Sequence, residues 1–392
     1  MSMLSKRIQV LSPSLTLAIT ALARDLKAQG KDILSFSAGE PDFDTPQGVK
    51  DAAIKAITEG CGKYTAVAGT PEVLKAIAGK LKRENGLDYK PSEIVVNVGA
   101  KHSLFNIFQA IIDEGDEVII PAPYWVTYPE IVKYSGGTPV FIDTDESTAF
   151  KITPEQLKNA ITPKTRVLLF NTPSNPTGSV YSKEELTALA EVLKGTDILV
   201  VSDEMYEKIL FDGRTFTSVA SISEDMFKRT ITVNGLSKSV AMPGWRFGYL
   251  ACPIKEIVNA IVDLQGQSTS NICSITQKAA IPALEGVVDA DIETMRVAFE
   301  KRRNLACELF AQIPNLKVVK PEGAFYLYVN TKAVEVDSMK FCSKLLEETG
   351  VAVVPGLGFG TEGYFRLSFA TDDATITEGI TRIASFVKNY KK

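Results

Sequence analysis

The chain reads as an α/β protein in two parts: a larger one built on an open, mostly parallel sheet between helices, and a smaller α+β one. Three observations predict this. Short apolar runs rich in β-branched residues recur through the middle of the sequence, amphipathic helical patterns separate several of them, and the pattern changes character after Ala280.

Seven runs read as buried strands, at residues 94–98, 117–120, 139–142, 166–170, 198–202, 230–233 and 247–252. They are apolar almost throughout, as strands covered on both faces are. Between them, residues 101–112 put Leu104, Phe105, Phe108, Ile111 and Ile112 on one helical face, and residues 183–193 do the same with Leu186, Leu189 and Leu193. A long charged helix is expected near 289–309, followed by strands at 317–319 and 324–329 and closing helices. No internal repeat or low-complexity segment interrupts this order.

Composition narrows the function. With 392 residues and 45% hydrophobic content, the chain can bury a large core and more readily forms two domains than one. Its 43 basic and 47 acidic residues leave a net charge of -4, without a basic run to face nucleic acid. The five cysteines, Cys61, Cys252, Cys273, Cys307 and Cys342, are odd in number and lack a Cys-x-x-Cys spacing, so reduced, buried thiols are expected rather than disulfides or zinc. The first seventeen residues carry early basic groups but are broken at Ser12-Pro13-Ser14, and no run approaches eighteen apolar residues. A cytoplasmic protein without a membrane span is the expectation. The only histidine, His102, has no companion ligands or serine partner, so neither a metal nor a hydrolase site is built on it.

Lys238 and Arg246 lie eight residues apart in a loop between two apolar segments. That pair suits an aldehyde cofactor bearing a phosphate. A lysine condenses with an aldehyde only when deprotonated, and a fixed cation nearby lowers its pKa while also binding the phosphate. Asp203 directly follows an expected strand, where its carboxylate suits either a ligand or a helix N-cap. Gly99-Ala100-Lys101 ends a strand and opens a helix, so backbone N–H groups there can take a phosphate. Arg366 falls in an apolar strand at 364–369, where a carboxylate ligand would relieve the cost of burying it. Gly39 lets its backbone approach the same ligand. The run Gly356-Leu357-Gly358-Phe359-Gly360 superficially resembles a dinucleotide loop but opens no βαβ unit, and is read as a flexible loop near Arg366.

Ordered blocks along nearly the whole chain carry a resemblance. They are Ser37 to Pro46, Lys63-Tyr64-Thr65, Val98 to Lys101, Pro123-Tyr124-Trp125, Asn171 to Gly178, Ser202 to Glu207, Asn234 to Gly248, Gly323 to Tyr326 and Phe365 to Ser368. In these the sequence resembles the class I aminotransferases of the pyridoxal phosphate fold-type I superfamily, and in particular the bacterial aspartate aminotransferase branch that includes aspartate/prephenate enzymes. The resemblance implies a large cofactor-binding domain at 45–285 with a seven-stranded sheet, and a small domain formed by 1–44 with 286–392.

It also implies roles. Lys238 is the lysine that joins the pyridoxal 5'-phosphate aldehyde and acts as general base. Asp203 meets the pyridine nitrogen, Tyr206 and Asn175 the ring oxygen, and Trp125 the ring face. Gly99, Ala100, Lys101, Ser237 and Arg246 surround the phosphate, which Tyr64 reaches from the neighbouring subunit of a homodimer. Arg366, with Gly39, Asn175 and Trp125, receives the substrate and its α-carboxylate, and Lys101 faces the distal carboxylate of a dicarboxylic one. The activity implied is ping-pong transfer of the amino group of L-aspartate to 2-oxoglutarate.

Alternatives stay open: an aromatic, kynurenine or prephenate-accepting aminotransferase, or a lyase of the same fold. Ser12 stands where some prephenate-accepting members have lysine, which leaves that activity undecided. A transcription regulator of the superfamily would carry a winged-helix extension, for which the residues before Ser37 are too few.

Overall fold

The computed structural model describes residues 3–391; Met1, Ser2 and Lys392, which the expected division of the chain includes, lie outside the described residues. After a two-residue strand β1 (Leu34–Ser35), seven strands build the central sheet. They are β2 (Ile94–Val98), β3 (Glu117–Ala122), β4 (Thr138–Asp143), β5 (Thr165–Asn171), β6 (Leu199–Asp203), β7 (Thr230–Gly235) and β8 (Phe247–Ala251). Their spatial order is β2-β8-β7-β6-β5-β3-β4. Only β8 runs against its neighbours; the other adjacent pairs are parallel. Each strand lies within two residues of the run that predicts it.

Alternate residues of these strands enter different apolar layers, which is why the runs lack a polar face. Val118, Ile120, Val167, Leu169 and Val201 pack with Leu104, Ile107 and Phe108 of the helix Ala100–Ile111. On the opposite face, Ile119, Leu168, Phe170 and Val200 meet Leu186, Leu189 and Leu193 of Lys183–Leu193. That second helix starts where its sequence says it should. Ser182 Oγ accepts from the Glu185 N–H, and the Glu185 carboxylate accepts from the Ser182 N–H. Burying each leucine contributes about 2 kcal/mol, so Leu189→Ala should destabilise the layer by about 2–5 kcal/mol.

The face of Ala100–Ile111 differs from expectation in one respect. Phe105 is half-buried, whereas Ser103, Asn106 and Ile107 are buried. Buried polar groups occupy that face because they satisfy one another: Ser103 Oγ donates to Asn97 Oδ1, and the amides of Asn97 and Asn106 both donate to Gln265 Oε1.

A second sheet follows the helix Asp289–Phe310. It comprises β9 (Lys317–Val318), β10 (Tyr326–Asn330), β12 (Val354–Pro355) and β13 (Tyr364–Ser368), all antiparallel in the order β12-β13-β10-β9. Between them β11 (Val351–Ala352) pairs in parallel with β1, tying the N-terminal segment to this part of the chain. Residues 356–360 correct an expectation. Gly356–Phe359 is a 3-10 turn with Phe359 fully buried, so the segment packs rather than lying loose. The cysteines correct another: Cys252 and Cys342 are buried, Cys61 and Cys307 half-buried, and Cys273 exposed, with all five free. No described helix is long and apolar enough to cross a membrane.

Candidate active site

Parallel strands deliver their last residues to one edge of a sheet, and ligands of open α/β sheets bind there. Here β6 ends on Asp203, β5 ends at Asn171 just before Asn175, and β7 leads directly into Ser237-Lys238. Because β8 is antiparallel, its first residues lie at the same edge, with Val98 opposite Phe247 and Gly235 opposite Gly248. Arg246 is thereby placed beside the start of Ala100–Ile111. Eleven of the thirteen expected site residues line one cavity of about 350 Å³. The two that do not are Gly99 and Tyr64.

Gly99 sits immediately behind the cavity. It has φ 78, and a β-carbon on it would collide with the Arg246 guanidinium; only glycine supplies both the conformation and the space. Arg246 itself donates from Nη1 to Pro243 O at 3.0 Å and from Nη2 to Val98 O at 3.3 Å. The amides of Ala100 and Lys101 open a helix and have no acceptor within it. Together with Ser237, they form an anion cradle at a helix N-terminus. Tyr64, by contrast, is 91% exposed and is not brought to the site of its own chain.

The Lys238 Nζ donates to Gly39 O at 2.6 Å. Its pKa is lowered to about 8, chiefly because burial disfavours the ammonium. The Glu40 carboxylate opposes that shift, while Arg366 and then Arg246 reinforce it. This revises the expectation that Arg246 is the main cause. Asp203, 4% exposed, accepts from Tyr128 OH at 2.8 Å and from the Met205 N–H at 3.3 Å. Burial pushes its pKa up to about 6, against the pull of those two donors and of Lys238. No helix begins after Asp203, which removes the N-cap alternative.

Arg366 is fully buried in β13 between the rings of Tyr326 and Phe359, at 4.4 and 5.1 Å from their centroids. Nη1 donates to Asn175 Oδ1 at 2.9 Å and Nη2 to Ser37 O at 2.8 Å. Its Nε is buried without a partner. A guanidinium held this way is a preformed receptor for a carboxylate. Tyr206 OH and Tyr326 OH lie 2.8 Å apart beside it. Trp125 is half-buried, edge-on to Tyr128 at 5.4 Å, with the Lys101 Nζ 4.8 Å from its ring centroid. Lys101 is exposed at the cavity mouth.

Sequence reasoning missed Tyr128, Tyr326 and the N-terminal residues Ser14, Thr16 and Leu17, all of which line the cavity. Pro123-Tyr124-Trp125 drew attention to the loop but not to Tyr128 three residues on. His102 does what a lone histidine usually does: its Nδ1 accepts from the Val98 N–H at 3.2 Å.

The sequence profile of the family described as "Aminotransferase class I and II" matches residues 31–383. The chain belongs to the class I and II aminotransferases. Among relatives of this aminotransferase, the aspartate aminotransferase of Geobacillus stearothermophilus is 50% identical, with 98% of this chain and 99% of that protein aligned. The aspartate/prephenate aminotransferase of Cereibacter sphaeroides is 47% identical over 98% of this chain and 99% of its own. The crystal structure of the aspartate aminotransferase from Rhizobium meliloti superposes with a TM-score of 0.96 at 43% identity, covering 100% of both chains. That of the Thermus thermophilus aspartate aminotransferase with maleate gives 0.94 at 44% identity, over 98% of this chain and 100% of the other.

Aminotransferases of this family use pyridoxal 5'-phosphate, and the side chains of this one fit it. The anion cradle suits the phosphate, the buried Asp203 carboxylate suits a protonated pyridine nitrogen, and the low-pKa Lys238 amine suits the aldehyde. The Arg366 guanidinium, which lines the same cavity, suits the carboxylate common to amino and keto acids.

Proposed function

We propose that this aminotransferase moves the amino group of L-aspartate to 2-oxoglutarate in a ping-pong reaction. One observation carries the reading: Lys238 and Arg366 line the same cavity, an amine and a guanidinium on one enclosed space. An amino acid bound through its α-carboxylate at Arg366 would present its α-carbon toward the base. Lys101, a second cation at the mouth, suits the distal carboxylate of a dicarboxylic substrate. The relatives named aspartate aminotransferase, and the dicarboxylate maleate in the Thermus thermophilus structure, support that choice.

When bound, the cofactor supplies an electron sink for the pair left on the substrate α-carbon. The chain's residues do the rest. Asp203 holds the proton on the pyridine nitrogen, Tyr128 holds Asp203, and Tyr206 and Asn175 donate to the ring oxygen. With Asn175 Oδ1 committed to Arg366, its amide N–H groups are the ones left to give. Trp125 covers the ring face. Lys238 Nζ, its pKa lowered to about 8, would take the α-proton from the substrate and deliver it to the cofactor C4′. Gly39 offers backbone next to both Lys238 and Arg366.

The reading includes a homodimer in which Tyr64, exposed here, reaches the phosphate of the partner's site. It also includes a large domain at 45–285 and a small one at 1–44 with 286–392, supported by the β1–β11 pairing and by Phe43 packing edge-on to Phe299 at 5.6 Å. Prephenate as acceptor is favoured as a second activity by relatives named for it at 47–49% identity.

A panel of amino donors with 2-oxoglutarate tests the assignment. Aspartate should give the highest kcat/KM; preference for phenylalanine, kynurenine or alanine overturns it. Incubation with aspartate alone should stop after one half-reaction, whereas continued release of ammonia would mark a lyase.

A further inference from the structure

We propose that Thr45 is a positioning residue whose single hydroxyl fixes the loop between Lys238 and Arg246, and so sets how firmly the cofactor is held. The residue is 7% exposed and lies 193 positions before Lys238. Its hydroxyl donates to Ala241 O at 2.8 Å and accepts the indole N–H of Trp245 at 3.0 Å. One oxygen therefore joins the two ends of the turn that follows the lysine.

That turn needs holding. Ala241 has φ 48 and Arg246 φ 55, left-handed conformations in residues that are not glycine. Such residues persist only where their surroundings over-determine them. The loop's own backbone bonds are long: Ala241 N–H to Lys238 O at 3.4 Å, Met242 N–H to Leu236 O at 3.3 Å and Val240 N–H to Leu236 O at 3.3 Å. The bonds from Thr45 are shorter and come from outside the loop. Arg246 is the last residue of the turn, and its guanidinium fills the space beside Gly99 where the anion cradle forms. The segment that ends at Thr45 also reaches the other end of the machinery, since Gly39 O accepts the Lys238 amine. Residues 39–45 thus grip the lysine by its side chain and its loop by the backbone.

Loss of the hydroxyl strands a buried carbonyl, leaves a half-buried indole N–H without its partner, and lets the two left-handed residues relax. The consequence falls on the positions of Lys238 and Arg246. The inference rests on the family's cofactor and not on the choice of aspartate, so failure of either leaves the other standing.

The test compares Thr45→Val, which keeps the shape, with Thr45→Ser, which keeps the hydroxyl. Cofactor release from the diluted holoenzyme is followed by absorbance, alongside thermal melts of the apo forms. Thr45→Val should release pyridoxal 5'-phosphate about tenfold faster, as expected when a buried partner is lost, and Thr45→Ser should restore the rate to within about twofold. Trp245→Phe removes one of the two bonds and should give a smaller increase; because the bonds share an oxygen, the double variant should gain less than the product of the single effects. A lower melting temperature with an unchanged release rate marks a purely structural threonine and overturns the proposal. So does Thr45→Ser behaving like Thr45→Val. Should Thr45→Val fail to fold, an unchanged release rate in Trp245→Phe decides against it.

Discussion

The Tyr128 hydroxyl donates to Asp203 Oδ2 at 2.8 Å, and neither residue is more than 4% exposed. Burial raises the pKa of Asp203 to about 6, and this donor is the strongest influence holding it down. Tyr128 remains a donor throughout, because burial and the neighbouring carboxylate push its own pKa well above the usual phenol value. The carboxylate proposed for the pyridine nitrogen is thus kept ionised by a tyrosine from a different element, the helix Thr127–Tyr134.

Tyr128→Phe should therefore raise the pKa of Asp203 and weaken its grip on the ring proton. A hydrogen bond to a charged group supports a loss of about tenfold in kcat. The acid limb of the kcat profile should move to higher pH. An unchanged profile would show that Tyr128 only fills space.

Asp203 opposes folding of the apo form, and the sign can be worked out. Its folded pKa of about 6 lies above the 3.8 of a free aspartate. Below about pH 4 both states are protonated. As pH rises toward 6 the unfolded state ionises first, and stability falls by about 3 kcal/mol by pH 7. Asp203→Asn, which keeps an acceptor for Tyr128, should melt higher than wild type as apoprotein at pH 7 while losing activity. Melting curves of the two apo forms from pH 4 to 8 should converge at the acid end; parallel curves would mean that Asp203 is not the group responsible.

Lys238 titrates in the opposite sense. Its pKa of about 8 means that its amine becomes nucleophilic far below the 10.5 of a free lysine. The rate at which apoprotein takes up pyridoxal 5'-phosphate should rise with pH and level off above about 8. Lys238→Ala should still bind the cofactor but lose transamination by several orders of magnitude. Near-normal turnover in that variant would remove the central role of the lysine.

Much of this was legible in the sequence because the groups that carry chemistry sit at strand ends, where periodic apolar runs stop. The seven runs located Asp203, Asn175, Lys238 and Gly99 to the correct edge of the sheet before any contact was known. What was not legible depends on distant contacts. Tyr128 meets Asp203 across 75 residues, and Thr45 meets Ala241 across 196, with no local pattern to announce either. The cause of the Lys238 shift is hidden for the same reason: spacing shows a nearby arginine, whereas burial emerges only when Gly39, Glu40 and Arg366 of β13 come to lie beside the lysine. The 356–360 run looked mobile because of its glycines, yet the buried ring of Phe359 against Arg366 pins it.

Tyr64 offers a direct test of how the site is completed. It is exposed in its own chain, and the proposed homodimer would bring it to the partner's phosphate. Tyr64→Phe should weaken cofactor retention, and Arg366→Ala should abolish substrate binding. Mixed and allowed to exchange subunits, the two impaired proteins should regain some activity, since each hybrid dimer contains one site with both residues intact. No recovery after verified exchange would mean that each site is built within one chain.

Lys101 separates the dicarboxylic assignment from the rest of the chemistry. It opens the helix Ala100–Ile111, its ammonium lies over Trp125, and partial desolvation followed by the Arg246 charge lowers its pKa. Its ammonium lies near an aromatic face and a second cation, both of which leave room for an anion to bind. The phosphate cradle already has Arg246 and the helix amides, so the proposed partner of Lys101 is the distal carboxylate of aspartate or glutamate. A charged hydrogen bond of that kind supports about thirty- to hundredfold in specificity. Lys101→Ala or Lys101→Ser should lower kcat/KM for aspartate and glutamate by about that factor, while aromatic and aliphatic donors change by less than about threefold. Cofactor release should stay near the wild-type rate. An equal loss for all donors would place Lys101 on the phosphate instead, and an unchanged preference for aspartate would assign the distal carboxylate to another residue.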